Sequence, residues 1–244
     1  MSYFSGEKMT GGYGGPDIIN SCTISVNKGE IVTILGPNGA GKSTAMRAML
    51  GMLNLRQGII TINEKDISNL SPQDRVKEGI SFVPQSRNVF TGLTVEENLE
   101  MGAYLRDESF KDTLDEIYGL FPILKEKKNQ FAGELSGGQR QQVALGRALM
   151  IKPSVLMLDE VAAGVNRTLL KEISNSILRL NKEKGYTFCM IEHDMDFISR
   201  MCDPIIVMSE GSVLFQGTSE EVKNNEQVIE SYLGRRTEIK KEKN

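Results

Sequence analysis

Nine consecutive residues, Gly36-Pro37-Asn38-Gly39-Ala40-Gly41-Lys42-Ser43-Thr44, carry the strongest chemical signal in this chain. They follow the apolar, β-rich run Ile31–Leu35 and precede the helix-compatible Ala45–Leu50. Glycine tolerates positive φ and lets the main chain approach a ligand closely. A helix that starts at such a turn points unsatisfied N–H groups and the positive end of its dipole at the same place. The spacing G-x-x-x-x-G-K-S is therefore a phosphate cradle, lined by Pro37, Asn38, Ala40 and Thr44 as well as by its glycines. Lys42 can reach a β- or γ-phosphate, and the Ser43 hydroxyl suits Mg²⁺.

Further groups with chemistry to offer stand where apolar strands end. Pro153–Leu158 reads as a buried parallel strand and runs into Asp159-Glu160. There Asp159 can hold Mg²⁺ while Glu160 polarises an attacking water. His193, the single histidine, lies between the apolar run Tyr186–Ile191 and a helix. Gln85 follows the strand Gly79–Val83; it is either a group touching a metal-bound water and the γ-phosphate or a solvated loop glutamine. Ser136 is an N-cap for a helix whose first turn holds Gly137 and Gly138, followed by Gln139. Glycines there cost about 1 kcal/mol each against alanine, so they serve either an anion that needs bare N–H groups or close packing. Tyr13, within Gly11–Pro16, offers either a face for a base to stack on or a surface ring in a flexible turn.

Strands and helices alternate around these groups. Asp17–Asn27 reads as antiparallel strand, Lys28-Gly29 as a hairpin-like turn, Arg56–Gly58 as a turn, and Ile59–Ile62 as a strand. Ser71-Pro72 starts a short helix to about Lys77. Thr94 and Glu97 make a capping box, with Leu99, Met101 and Leu105 as the apolar face beyond it. Helices are expected over Ser109–Phe121, Pro122–Lys128, Arg140–Leu149 and Arg167–Lys184, and a hairpin over Pro204–Met208 and Ser212–Gln216. Residues 1–12 read as a polar, mobile start, Ser219–Tyr232 as helix, and 235–244 as a charged, disordered tail. The helical block over residues 93–149 interrupts the alternation, as an inserted subdomain does.

Composition narrows the class. With 244 residues and a net charge of −3, there is no global electrostatic case for nucleic acid. Cys22, Cys189 and Cys202 are scattered, form no C-x-x-C pair and read as small core residues. No secretory h-region is visible at the start, and no apolar run approaches the roughly 20 residues that cross a bilayer.

Taken in order, these motifs resemble the ATP-binding-cassette (ABC) ATPases, over Gly11 to about Gly234. Gly36–Thr44 is similar to the family's Walker A, Gln85 to its Q-loop, and Leu135–Gln139 to its signature. Leu156–Glu160 is similar to its Walker B, and His193 to its switch histidine. Tyr13 falls where the family places its adenine-stacking aromatic. Gly11–Gly15, Leu93–Tyr104, Ile191–Met195 and Val228–Gly234 resemble the branched-chain amino-acid importer ATPases and their urea-type relatives.

The resemblance implies a P-loop α/β core with a mixed sheet, over about 1–92 and 150–234, and a helical subdomain over about 93–149. It implies ATP and Mg²⁺ as ligands. Glu160, His193 and Gln85 would be the catalytic set, Ser43, Gln85 and Asp159 the metal-side set. Ser136, Gly137, Gly138 and Gln139 would bind the nucleotide of a second ATPase subunit, homologous or identical, packed head-to-tail. It also implies transmembrane permease partners, docked beside Gln85 along residues 87–104, an indirect solute-binding protein, and a place on the cytoplasmic face of a membrane. Alternatives are a soluble remodelling ABC ATPase and an export-side ATPase. Two residues depart from the family pattern: Val161 stands where proline usually follows the glutamate, and Asn166 where the D-loop often has aspartate.

Overall fold

The computed structural model describes residues 2–194, 197–198, 201 and 203–231. Two sheets form the framework. The larger has six strands in the order β10-β9-β3-β8-β7-β6. These are β3 (Ile31–Leu35), β6 (Ile80–Val83), β7 (Val155–Asp159), β8 (Thr187–Ile191), β9 (Ile205–Ser209) and β10 (Ser212–Gly217). Neighbours from β9 to β6 run parallel, and only β10 pairs antiparallel. The smaller sheet is antiparallel, in the order β2-β1-β4-β5, from β1 (Phe4–Gly11), β2 (Ile19–Val26), β4 (Gln57–Ile62) and β5 (Lys65–Asp66).

The parallel strands are largely apolar because both of their faces are covered. Side chains alternate between two cores, as a period of two requires. On β7, Leu156 and Leu158 enter the core shared with the helices, while Val155 and Met157 enter the core facing the small sheet. Phe188 and Met190 against Cys189 and Ile191 repeat the pattern on β8. Helix α1 (Lys42–Met49) lies in the second core. Its C-terminal carbonyls are satisfied by the buried Arg75 of α2 (Pro72–Lys77), which donates to Ala48 O at 3.0 Å and Met49 O at 2.8 Å. That clamp fixes the helix that leaves the glycine loop.

Between residues 94 and 149 come α3 (Val95–Gly102), α4 (Lys111–Leu120), α5 (Pro122–Glu126) and α6 (Gly137–Leu149). The helix α7 (Arg167–Lys184) links β7 to β8, and α8 (Ser219–Asn224) follows the last strand. α6 packs on α3, α4, α5, α7 and β6, so it joins these helices to the edge of the large sheet.

Several expectations change. The polar start holds a strand the sequence did not suggest: β1 is an inner strand of the small sheet, with Phe4 and Met9 fully buried. Bulges around Met9 interrupt its alternation and hide the strand in the sequence. The turn at Lys28-Gly29 makes no hairpin, since β2 and β3 belong to different sheets. The turn proposed at Arg56–Gly58 is already strand from Gln57. Leu99 is buried, but Met101 and Leu105 are exposed. Asn225 breaks the last helix with an extended backbone, and its side chain caps Val228 N at 3.1 Å. Cys22 and Cys189 are buried free thiols. The expectations for Cys202, Tyr232 and residues 235–244 lie outside the described residues.

Candidate nucleotide site

Four strand ends meet at one edge. In the order β3-β8-β7-β6, the C-terminal ends deliver Gly36–Thr44, Glu192-His193, Asp159-Glu160 and Gln85 side by side. Parallel sheets of this kind place ligands beyond the carboxyl ends of their strands.

The glycine loop is shaped by its backbone. Gly36, Gly39 and Gly41 have φ of 152°, 85° and 92°. At Gly36 a Cβ would sit 2.3 Å from Met208 O, whereas at Gly39 it would meet nothing within 4 Å. Gly36 therefore answers to a neighbouring strand and Gly39 to its own dihedral. Ala40 is buried and anchors the loop by accepting from Gly211 N at 3.0 Å; Asn38 is exposed and Pro37 half-buried.

α1 begins with no side-chain cap and no acid in its first turn, which leaves its N–H groups facing the loop. Lys42 is buried and turns its Nζ onto the carbonyls of Gly36 (2.8 Å) and Pro37 (3.0 Å). Burial lowers its pKa, opposed by the charges of Glu160 and Asp159. Ser43 is half-buried and Thr44 buried.

Glu160 is held from both sides. Its Oε1 lies 2.8 Å from His193 Nε2, and its Oε2 accepts from the amide nitrogen of Gln85. The three residues proposed as catalytic thus form one hydrogen-bonded chain across the ends of β8, β7 and β6. Glu160 also has φ 49°, a left-handed conformation that costs a non-glycine residue about 1–3 kcal/mol. Asp159 is half-buried, and its pKa is raised by desolvation and by Glu160, against the pull of Arg47, Lys42 and His193.

These groups fit Mg²⁺ with a nucleotide. The donor set is hard oxygen, from the Ser43 hydroxyl, the Asp159 carboxylate and the Gln85 amide oxygen. Mg²⁺ keeps few protein ligands and takes the rest from phosphate and water. Among the described residues no cluster of three or more His, Cys, Asp or Glu forms an all-protein metal cage.

The signature turn stands apart, at the start of α6. Ser136 and Gln139 close a reciprocal capping box. The two glycines there differ. At Gly138 a Cβ would collide with Leu169 at 1.7 Å, so packing on α7 accounts for it. Gly137 is exposed with open space around it, and packing gives no reason for glycine.

Tyr13 is 54% exposed, with its hydroxyl accepting from Arg47 Nη1 at 3.1 Å and the guanidinium 5.9 Å from the ring centroid. Arg47 was not singled out by its sequence setting; it sits in the last turn of α1. Glu192 was also missed. It is 2% exposed and accepts from Ala162 N at 2.9 Å. An acid placed directly after the strand Thr187–Ile191, whose last four residues are apolar and which is buried throughout, was the available signal.

Comparison with known proteins agrees with this geometry. The pattern describing the ABC transporter family matches residues 19–163, and that of the branched-chain amino acid ATP-binding cassette transporters matches residues 212–237. The high-affinity branched-chain amino acid transport ATP-binding protein BraG of Pseudomonas aeruginosa is 36% identical, over 93% of this chain and 98% of its own. The lipopolysaccharide export system ATP-binding protein LptB of Haemophilus influenzae is 34% identical, over 96% and 98%. A solved ATP-binding cassette of an ABC transporter, in its ADP conformation, superposes with a TM-score of 0.86 at 32% identity, covering 96% of this chain and 99% of that one. A glycine loop, a strand-end acid pair and a capped Leu-Ser-Gly-Gly-Gln turn on such a scaffold leave one assignment: the chain belongs to the ATP-binding cassettes of ABC transporters, a family that binds nucleotide and hydrolyses ATP.

Proposed function

We propose that this chain is the ATP-hydrolysing subunit of an ABC importer for branched-chain amino acids or a similar small polar solute. The observation that carries the hydrolytic reading is the Gln85–Glu160–His193 chain beside the glycine loop. The relatives that transport branched-chain amino acids, and the match at residues 212–237, support the solute class.

In this reading Gly36–Thr44 and the N-terminus of α1 hold the phosphates, and Lys42 leaves its loop carbonyls for the β- and γ-phosphates. Ser43, Asp159 and Gln85 hold Mg²⁺, which would neutralise phosphate charge. Glu160 orients the attacking water and takes up its proton; His193 contacts the γ-phosphate and steadies Glu160. Catalysis then rests on positioning and electrostatics. Tyr13, backed by Arg47, stacks on adenine.

The site is read as half of a pair. Ser136, Gly137, Gly138 and Gln139 face the γ-phosphate held by a second cassette, either a further copy or a related chain. The exposed Gly137 is what supports an anion there. The charge of ATP closes the pair, and hydrolysis releases it. We read residues 93–149 as a helical subdomain on a core over 1–92 and 150–234.

Phe90, Met101, Tyr104 and Leu105 line an exposed groove together with Arg147, whose guanidinium lies 4.9 Å from the Phe90 ring centroid. A transmembrane permease docks there in this account, which places the chain on the cytoplasmic face of the membrane. Among the described residues no helix is long and apolar enough to cross it. Extraction from its native membrane tests the assignment. The chain is expected to co-purify with multi-span hydrophobic subunits, and recovery with ribosomes or a soluble scaffold overturns it.

A further inference from the structure

The proline that family members usually carry after the catalytic glutamate is absent here, since Val161 follows Glu160. Within the turn Ala163 N donates to Glu160 O at 3.2 Å, and Glu160 holds a left-handed φ of 49°. Such a conformation persists only where the surroundings fix it.

The surroundings come from β8. Glu160 N donates to Ile191 O at 2.8 Å, one residue before Glu192. The Glu192 carboxyl, almost wholly buried, accepts from Ala162 N at 2.9 Å. The end of β8 therefore holds two backbone donors of this turn, that of Glu160 on the Ile191 carbonyl and that of Ala162 on the buried Glu192 carboxyl. Burying an acid is costly unless such donors satisfy it. Val161 is 2% exposed and packs into the core, so the turn is pinned on its apolar side as well.

We propose that Glu192 is the positioning residue of this site: its carboxyl ties the turn after Glu160, at Ala162 N, to the end of β8 that leads straight into His193, and so holds both reactive side chains in register. Buried as it is, it acts through the turn after Glu160 and through the strand end that carries His193. Misplacement of such groups by about 1 Å lowers turnover far more than binding. The inference rests on the hydrolytic role given above to Glu160.

The test compares Glu192→Gln, which keeps one acceptor oxygen, with Glu192→Met, which keeps the bulk and no acceptor. Tm, ATP affinity and kcat per nucleotide-binding molecule are measured for both, with Glu160→Gln alongside. The expected result is a kcat lowered ~10-fold or more in Glu192→Met and ~3-fold in Glu192→Gln, with ATP Kd within ~2-fold of the parent in both. A parental kcat in folded Glu192→Met overturns the proposal, as does an affinity that falls in step with the rate. If Glu192→Met does not fold, Glu192→Gln decides: parental kcat refutes, and a selective kcat loss supports. Parental turnover in Glu160→Gln would instead refute the underlying role of Glu160, which separates the two failures.

Discussion

The glycine loop and the acid turn lie on neighbouring parts of one sheet edge, yet they keep their shapes by opposite means. In Gly36–Thr44 the unusual dihedrals fall on glycines, so the shape is written in the local sequence. In Glu160–Asn166 one left-handed dihedral falls on Gly164 but the other falls on a glutamate, and what holds Glu160 comes from the end of β8, some thirty positions along the chain: Ile191 O, the Glu192 carboxyl and His193. A loop that binds can be preorganised locally. A carboxylate that must stay charged, reactive and correctly aimed cannot be a glycine, so its conformation is imposed by the fold.

The sharpest way to break this comparison is Lys42→Ala. It removes the buried cation of the loop and is expected to weaken ATP binding ~100-fold or more, read by equilibrium binding, while Glu160 and its partners stay in place. Next comes a pair within the loop. Gly36→Ala drives a Cβ to 2.3 Å from the Met208 carbonyl and is expected to weaken binding ~30-fold or more. Gly39→Ala meets open space and pays only the left-handed penalty of about 1–2 kcal/mol, a loss of ~10-fold. Equal effects at both positions would mean that local dihedrals, not contact with β9, shape the loop.

The acid turn is probed by pH. Burial raises Glu192 from its ordinary value of 4.5 to about 7. Between those values the folded chain retains a proton that the unfolded chain has released, so stability falls as pH rises from about 4.5 to 7 and this contribution is level above. At about 1.4 kcal/mol per pKa unit the difference is on the order of 3 kcal/mol. Urea unfolding at pH 5 and pH 8 should show it in the parent, and Glu192→Gln should flatten that slope. The smallest effect is expected at the adenine end. Arg47→Ala removes the partner of the Tyr13 ring and hydroxyl, weakening ATP binding ~2- to 5-fold with kcat unchanged.

How far the sequence reached follows the same division. The loop, the capping boxes at Thr94 and Ser136, and α7 with its bounds at Arg167 and Lys184 were legible because each is set by residues within a few positions of itself. The strand ends carrying Asp159, His193 and Gln85 were legible from apolar runs, and their adjacency followed from a parallel sheet. β1 was not legible, because its bulges break the alternation that marks a strand. Glu192 was not, because its role depends on β8 lying beside β7 and on a turn some thirty residues earlier. The packing reason for Gly138 was not legible either, because Leu169 of α7, which lies against it, is some thirty residues further along the chain.

In the proposed function one edge of the sheet divides the work, the glycine loop binding and the Gln85–Glu160–His193 chain hydrolysing. Bound ATP and released phosphate measured on the same sample of Glu160→Gln test this most directly. The account predicts ATP held at parental affinity with phosphate release lowered ~100-fold or more. Phosphate release at the parental rate, or loss of binding together with turnover, would contradict it.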